Sequence, residues 1–165
     1  MRRFAYETNG KNGRVETFFL PQTPQEFASR ATRRVSSSKF MDGVKHFSML
    51  VWALPEGVTH IDDVPRSSPA RATYIQCGGS AEAMTIEIRV THDDGSYEQY
   101  TVAREPVTDP EAWTTVSWDN GNPEPYTIQV HPQEVFTGEQ AVPVFRAYIE
   151  DNALPPADLL RRIDV

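Results

Sequence analysis

A chain of 165 residues, 39% of them hydrophobic, is long enough for one compact domain that buries roughly 70% of the surface its unfolded form exposes. A formal charge of −7 and a sequence pI near 5.1 speak against general nucleic-acid binding, and the longest apolar runs, such as Phe47 to Leu54, fall far short of the ~20 residues of a membrane-spanning helix. The start "MRRFAYETNG" turns polar at once and lacks a secretory pattern, so with the single cysteine Cys77 a reducing, cytosolic setting is expected.

The charge is polarised along the chain. Residues 1–45 hold nine Lys/Arg against four Asp/Glu, whereas residues 46–165 hold seven against nineteen. Such asymmetry points to an electrostatically marked face and a charged partner, unless the fold interleaves the halves and cancels it.

"RRFAYET" and "RVETFFL" read as strands around "NGKNG", whose glycines permit positive φ, so the chain opens with a hairpin. In "TPQEFASRATRRV", Thr23 is an N-cap, Pro24 the first helical residue and Glu26 the capping-box partner. Phe27, Ala31 and Val35 form the docking stripe of this helix, which leaves Arg30, Arg33 and Arg34 for solvent. "KHFSMLVWAL" ends continuously apolar, as a central strand covered on both faces does. From Pro55 to Pro69 turn formers dominate, which predicts an irregular surface excursion.

"RATYIQC", "AMTIEIRV" and "SYEQYTVARE" follow as a meander joined by "GGS" and "HDDG". Met84, Ile86, Ile88 and Val90 alternate with polar residues, the pattern of a half-buried antiparallel strand. "WTTVSW" and "PYTIQVH" are two further strand candidates. A second helix is expected from "TGEQAVPVFRAYIEDN", capped by Thr137 and Gln140; Pro143 shifts its regular part toward that residue, and Asn152 stops it. "LPPADLLRRIDV" reads as a proline-stiffened tail. Together these predict one α+β domain over residues 1–165: a mainly antiparallel sheet of six to eight strands with two helices packed on it.

The search for chemistry favours plain readings. Cys77 before Gly78 and Gly79 has no catalytic family signature around it, and a buried strand end explains it. His92, Asp93 and Asp94 suit a turn better than a metal, and "HIDD" at 60–63 lacks a paired-histidine spacing. "NGKNG" lacks the frame of a phosphate loop, and acidic neighbours oppose an aromatic nucleic-acid platform at Tyr97, Tyr100, Trp113 and Trp118. No catalytic residue, metal or cofactor is expected, and a binding module is the leading class.

The C-terminal run "FTGEQAVPVFRAYIEDNALPPADLLRRIDV", with the acidic meander "MTIEIRVTHDDGSYEQYTV", resembles actinobacterial immunity proteins of polymorphic-toxin systems, nearest those that neutralise necrotizing toxin. The resemblance implies a cytosolic, non-enzymatic α+β protein, monomeric until it forms a heterodimer with a secreted toxin domain and occludes its active site. For necrotizing toxin that activity is NAD glycohydrolysis. Under this implication the hairpin tip, Asn9, Lys11 and Asn12 with Arg14 beside it, is the expected partner-binding element, its lysine and amides meeting carboxylates or polar groups of the toxin cleft. The plainer alternative is a solvated turn. A secretion chaperone and a Cys77-dependent hydrolase are the rival functions.

Overall fold

The computed structural model describes residues 1–18 and 23–165, with only the backbone for 15–18. The last two residues of the expected second strand, Phe19 and Leu20, lie outside the described residues. The architecture is α+β. A seven-stranded antiparallel sheet has the order β2-β1-β3-β4-β5-β6-β9, built from β1 (Arg3–Gly10), β2 (Gly13–Phe18), β3 (Ser48–Leu54), β4 (Tyr74–Gly79), β5 (Met84–Thr91), β6 (Tyr97–Val102) and β9 (Leu160–Ile163). A separate two-stranded ribbon pairs β7 (Thr114–Trp118) with β8 (Tyr126–Val130).

Helices α1 (Pro24–Val35) and α2 (Gly138–Glu150) pack side by side on one sheet face. Both start with the expected reciprocal capping boxes, Thr23 with Glu26 and Thr137 with Gln140. Period-two alternation sends Phe4, Tyr6, Met49, Val51, Ile75, Ile86 and Ile88 toward them, where they meet Phe27, Ala31, Val35, Phe145 and Ile149 in one core.

Four expectations need correction. First, α2 is regular from Gly138, with Pro143 inside it; early in a helix proline removes one hydrogen bond, and the burial of Ala141, Phe145 and Ile149 holds the segment regardless. Second, the tail is no mere spacer: "LRRI" adds β9 to the sheet edge beside β6. Third, the 55–69 excursion is irregular and mostly exposed, as expected, but it also covers part of the sheet. Its Ile61 and Val64 are buried with Ala5, Trp52 and Leu54 in a second cluster on the opposite face, which is why β3 is apolar on both sides. Fourth, Arg30 and Arg34 are only partly solvated, the Arg34 guanidinium lying over the Phe40 ring at 5.0 Å, while Arg33 is exposed.

The helix stop behaves as expected. Asn152 has φ 52°, the left-handed conformation that a C-terminal cap requires. In the hairpin, Gly13 takes positive φ (96°), and a register shift between Thr8 and Asn9 accompanies the turn.

At Gly138 the start of α2 lies against the end of α1. A β-carbon there would lie 2.4 Å from the Val35 carbonyl oxygen and 2.8 Å from the Ser36 α-carbon, both backbone atoms that cannot step aside. Gly138→Ala is therefore expected to destabilise the fold by about 1–3 kcal/mol, the range for overpacking. Urea unfolding monitored by circular dichroism checks this, and an unchanged midpoint would refute the close approach.

Candidate functional site

Residues 42–47, between α1 and β3, form the junction from which a candidate site can be built. Asp42 precedes a glycine and three residues whose backbone N–H groups have no strand or helix to join. Its carboxylate oxygen Oδ1 accepts all three, from Val44 at 3.0 Å, Lys45 at 2.8 Å and His46 at 3.3 Å. Partial burial pushes its pKa up, but these three hydrogen bonds and the His46 charge prevail and hold it below its ordinary value of 3.8. The His46 ring is fixed as well, stacked on Phe40 at 3.8 Å with Nδ1 2.8 Å from the Phe40 carbonyl oxygen.

With the loop folded this way, its carbonyls face outward to other segments. The Val44 carbonyl accepts the Lys11 N–H at 3.1 Å and the Gly43 carbonyl accepts the Asp119 N–H at 3.0 Å. Phe47 donates to the Asn9 carbonyl and accepts from Gly79, each at 2.8 Å. The β7–β8 turn then closes directly on the hairpin: a β-carbon at Gly121 would lie 2.4 Å from the Lys11 carbonyl oxygen. Aromatic packing continues the seam, with Trp118 6.1 Å from Phe47 and 4.7 Å from Tyr126, centroid to centroid.

The predicted residues divide between two places. Lys11 and Asn12 are exposed at the turn and Asn9 is half-buried beneath it, but the tip is braced by two other loops rather than projecting alone. Around it stand Val44, Lys45, Asn122 and Tyr126, all exposed. Arg14 leaves this end: its guanidinium is 3.5 Å from Asp62 of the excursion. The sequence reading missed Val44 and Gly121 because their contacts with Lys11 join residues about thirty and more than a hundred positions apart.

A second unforeseen cluster joins the tail to the body. Glu134 is fully buried, accepts the His131 backbone N–H at 2.7 Å, and takes two hydrogen bonds from Arg161, at 2.8 and 3.0 Å. Trp113 lies between, stacked on His131 at 3.9 Å with Arg161 5.3 Å from its centroid. A bidentate pair of this kind fixes geometry, and here it anchors β9. The spacing of His131 and Glu134 was the available signal, hidden because an N-cap pattern without a following long helix attracts no notice.

The remaining sequence candidates have structural roles. Asp94 accepts from the Ser96 backbone and hydroxyl, as the turn reading requires. Cys77 is buried in β4 between Met49 and Ile86, and burial pushes its thiol up to about 12. No helix among the described residues is long and apolar enough to cross a membrane. No protein-family model, curated protein or solved structure matches this chain.

Two outcomes are expected. Asp42→Ala should cost about 1–2 kcal/mol by leaving three backbone donors without their acceptor. Because the folded pKa lies below 3.8, the unfolded state binds the extra proton; the Asp42 contribution is complete above that value and fades as pH falls through and below it. Thermal melts of both proteins between pH 2.5 and about 7 should therefore draw closer toward the acid end, and a constant difference would contradict this. Separately, a thiol reagent should label Cys77 only after unfolding, since the thiolate is the reactive form; rapid labelling of the native protein would be incompatible with its burial.

Proposed function

We propose that this protein is an immunity protein: it acts in the cytosol by binding a cognate secreted toxin domain, one that hydrolyses NAD, and occluding its active site. The observation that carries this reading is the braced end of the molecule, where the β1–β2 turn, the 42–47 loop and the β7–β8 turn are joined by backbone hydrogen bonds. Preorganised loops lose less motion on binding, and the exposed Lys11, Asn12, Lys45 and Tyr126 offer an aromatic contact with a polar rim around it. A standard interface covers about 800 Å² per partner, so the three loops together, rather than the hairpin tip alone, make the contact.

The strands at the β1–β2 edge of the sheet are balanced, Arg3 and Arg14 against Glu7 and Glu16, and the acidic half reaches them through Asp62, so the charge asymmetry of the chain is partly cancelled there. At the braced end Lys11 and Lys45 are both exposed, and an acidic toxin patch drawn toward them would speed encounter more than it adds affinity. Asn9, Lys11 and Asn12 are the contact residues at the braced end; Arg14, turned to Asp62, stands apart from them.

One observation favours the chaperone reading instead. Val102, Phe136, Pro143, Val144, Leu154 and Leu159 line an apolar groove of about 490 Å³ between α2 and the tail, a shape that suits an extended apolar export segment. Pull-down with the toxin domain and the export segment produced separately distinguishes the two, since an immunity protein retains only the folded toxin domain.

Lys11→Glu tests the inhibitory reading. It should weaken inhibition of the toxin at least about tenfold, the effect of one reversed charge worth ~1.4 kcal/mol or more at an interface. Toxin turnover titrated with each protein measures it, and equal potency of the variant would remove the hairpin from the mechanism.

A further inference from the structure

Glu7, Arg14, Asp62, Arg66 and Arg71 line a polar cleft of about 540 Å³ where β1 and β2 meet the 55–72 segment. Three guanidinium groups and two carboxylates share it, in a chain whose net charge is −7. Guanidinium groups repel one another unless an anion lies between them.

Arg71 is held in place. It donates to the Ile61 carbonyl, stands 5.7 Å from the centre of the Trp52 ring, and its own carbonyl accepts the Trp52 indole N–H at 3.0 Å. Arg66 is exposed and takes part in no ion pair among the described residues. Asp62 is the internal anion, and it serves poorly. One oxygen, Oδ1, lies 3.5 Å from Arg14 and 3.7 Å from Arg71, beyond the ~2.7–2.9 Å of a charge-assisted hydrogen bond. Its side chain is 65% exposed.

We propose that this cleft binds a phosphate dianion, free or carried as a monoester on a small molecule, with Arg14, Arg66 and Arg71 as donors and Asp62 as a built-in competitor. With Asp62 turned away, the three arginines and Glu7 leave a charge of +2, which a dianion neutralises and a single carboxylate does not. Guanidinium forks match tetrahedral oxyanions bidentately, and phosphate has enough acceptor oxygens for all three. The proposal goes beyond the inhibitory reading and does not depend on it.

The Trp52 indole N–H, bonded to Arg71, reports occupancy by NMR. The full-length protein is titrated at pH 7.5 and constant ionic strength with inorganic phosphate, and in a second arm with AMP, against sodium chloride as control. A saturable shift with a Kd of about 1 mM or tighter is expected. Arg14→Gln and Arg66→Gln, both at exposed side chains, should each weaken binding about tenfold with the amide spectrum retained. Asp62→Asn should tighten binding, the opposite of what a purely structural ion pair predicts. Tighter binding of AMP identifies a carried monoester, and equal affinity identifies the phosphate group alone. A non-saturable response at about 10 mM ligand, unaltered affinity in both arginine variants, or weaker binding by Asp62→Asn would overturn the proposal.

Discussion

One carboxylate, that of Asp42, gathers three backbone N–H groups that no strand or helix satisfies, and the shape it imposes turns the Gly43 and Val44 carbonyls outward. Those carbonyls are what Asp119 and Lys11 bind. The hairpin turn, the end of β7 and the entry to β3 thus share one support. Exposed hydrogen bonds of this kind are individually weak, but they are mutually dependent, so the loops hold together or loosen together. Under the proposed inhibitory reading such a surface gains from this, because less motion is lost on binding.

The sheet supplies the foundation. β3 sits near its centre and is covered twice, by the helices through Met49 and Val51 and by the 55–72 segment through Trp52 and Leu54. The second cover is what brings Asp62, Arg66 and Arg71 beside Arg14, so the oxyanion cleft is a consequence of burying Trp52. At the far edge, the Glu134–Arg161 pair and Trp113 dock the last strand onto β6. Braced loops, cleft and tail each rest on a polar contact set against a hydrophobic one.

Local patterns were legible where they decide structure by themselves. Thr23 with Glu26, Thr137 with Gln140, the alternation of Met84 to Val90, and Asn152 as a helix stop each express a rule acting over a few residues. What escaped notice depends on distance in sequence. "LRRI" is too short and too charged to announce a strand, and becomes one because Glu134 holds Arg161 against the body. Ile61 and Val64 stand alone among turn formers, and only the apolar back of Trp52 makes them core. Of the predicted site, the turn itself was readable from Asn-Gly pairs, whereas its bracing by Val44 and Gly121 and the departure of Arg14 toward Asp62 required the tertiary structure. The capping rule over Pro143 shows the converse: local expectation delayed the helix, and packing around Ala141, Phe145 and Ile149 restored it.

The most direct measurement of the braced end is residue-resolved amide hydrogen exchange on the free protein. A hairpin tip standing alone exchanges its turn amides at nearly the unprotected rate, whereas a tip tied to its neighbours shares their protection. The Lys11 amide is expected to exchange as slowly as those of Phe47 and Asp119, since the 42–47 loop accepts from Lys11 and Asp119 and donates from Phe47 to the Asn9 carbonyl. Unprotected exchange at Lys11 beside protected Phe47 would contradict the shared support, and with it the surface on which the inhibitory reading stands.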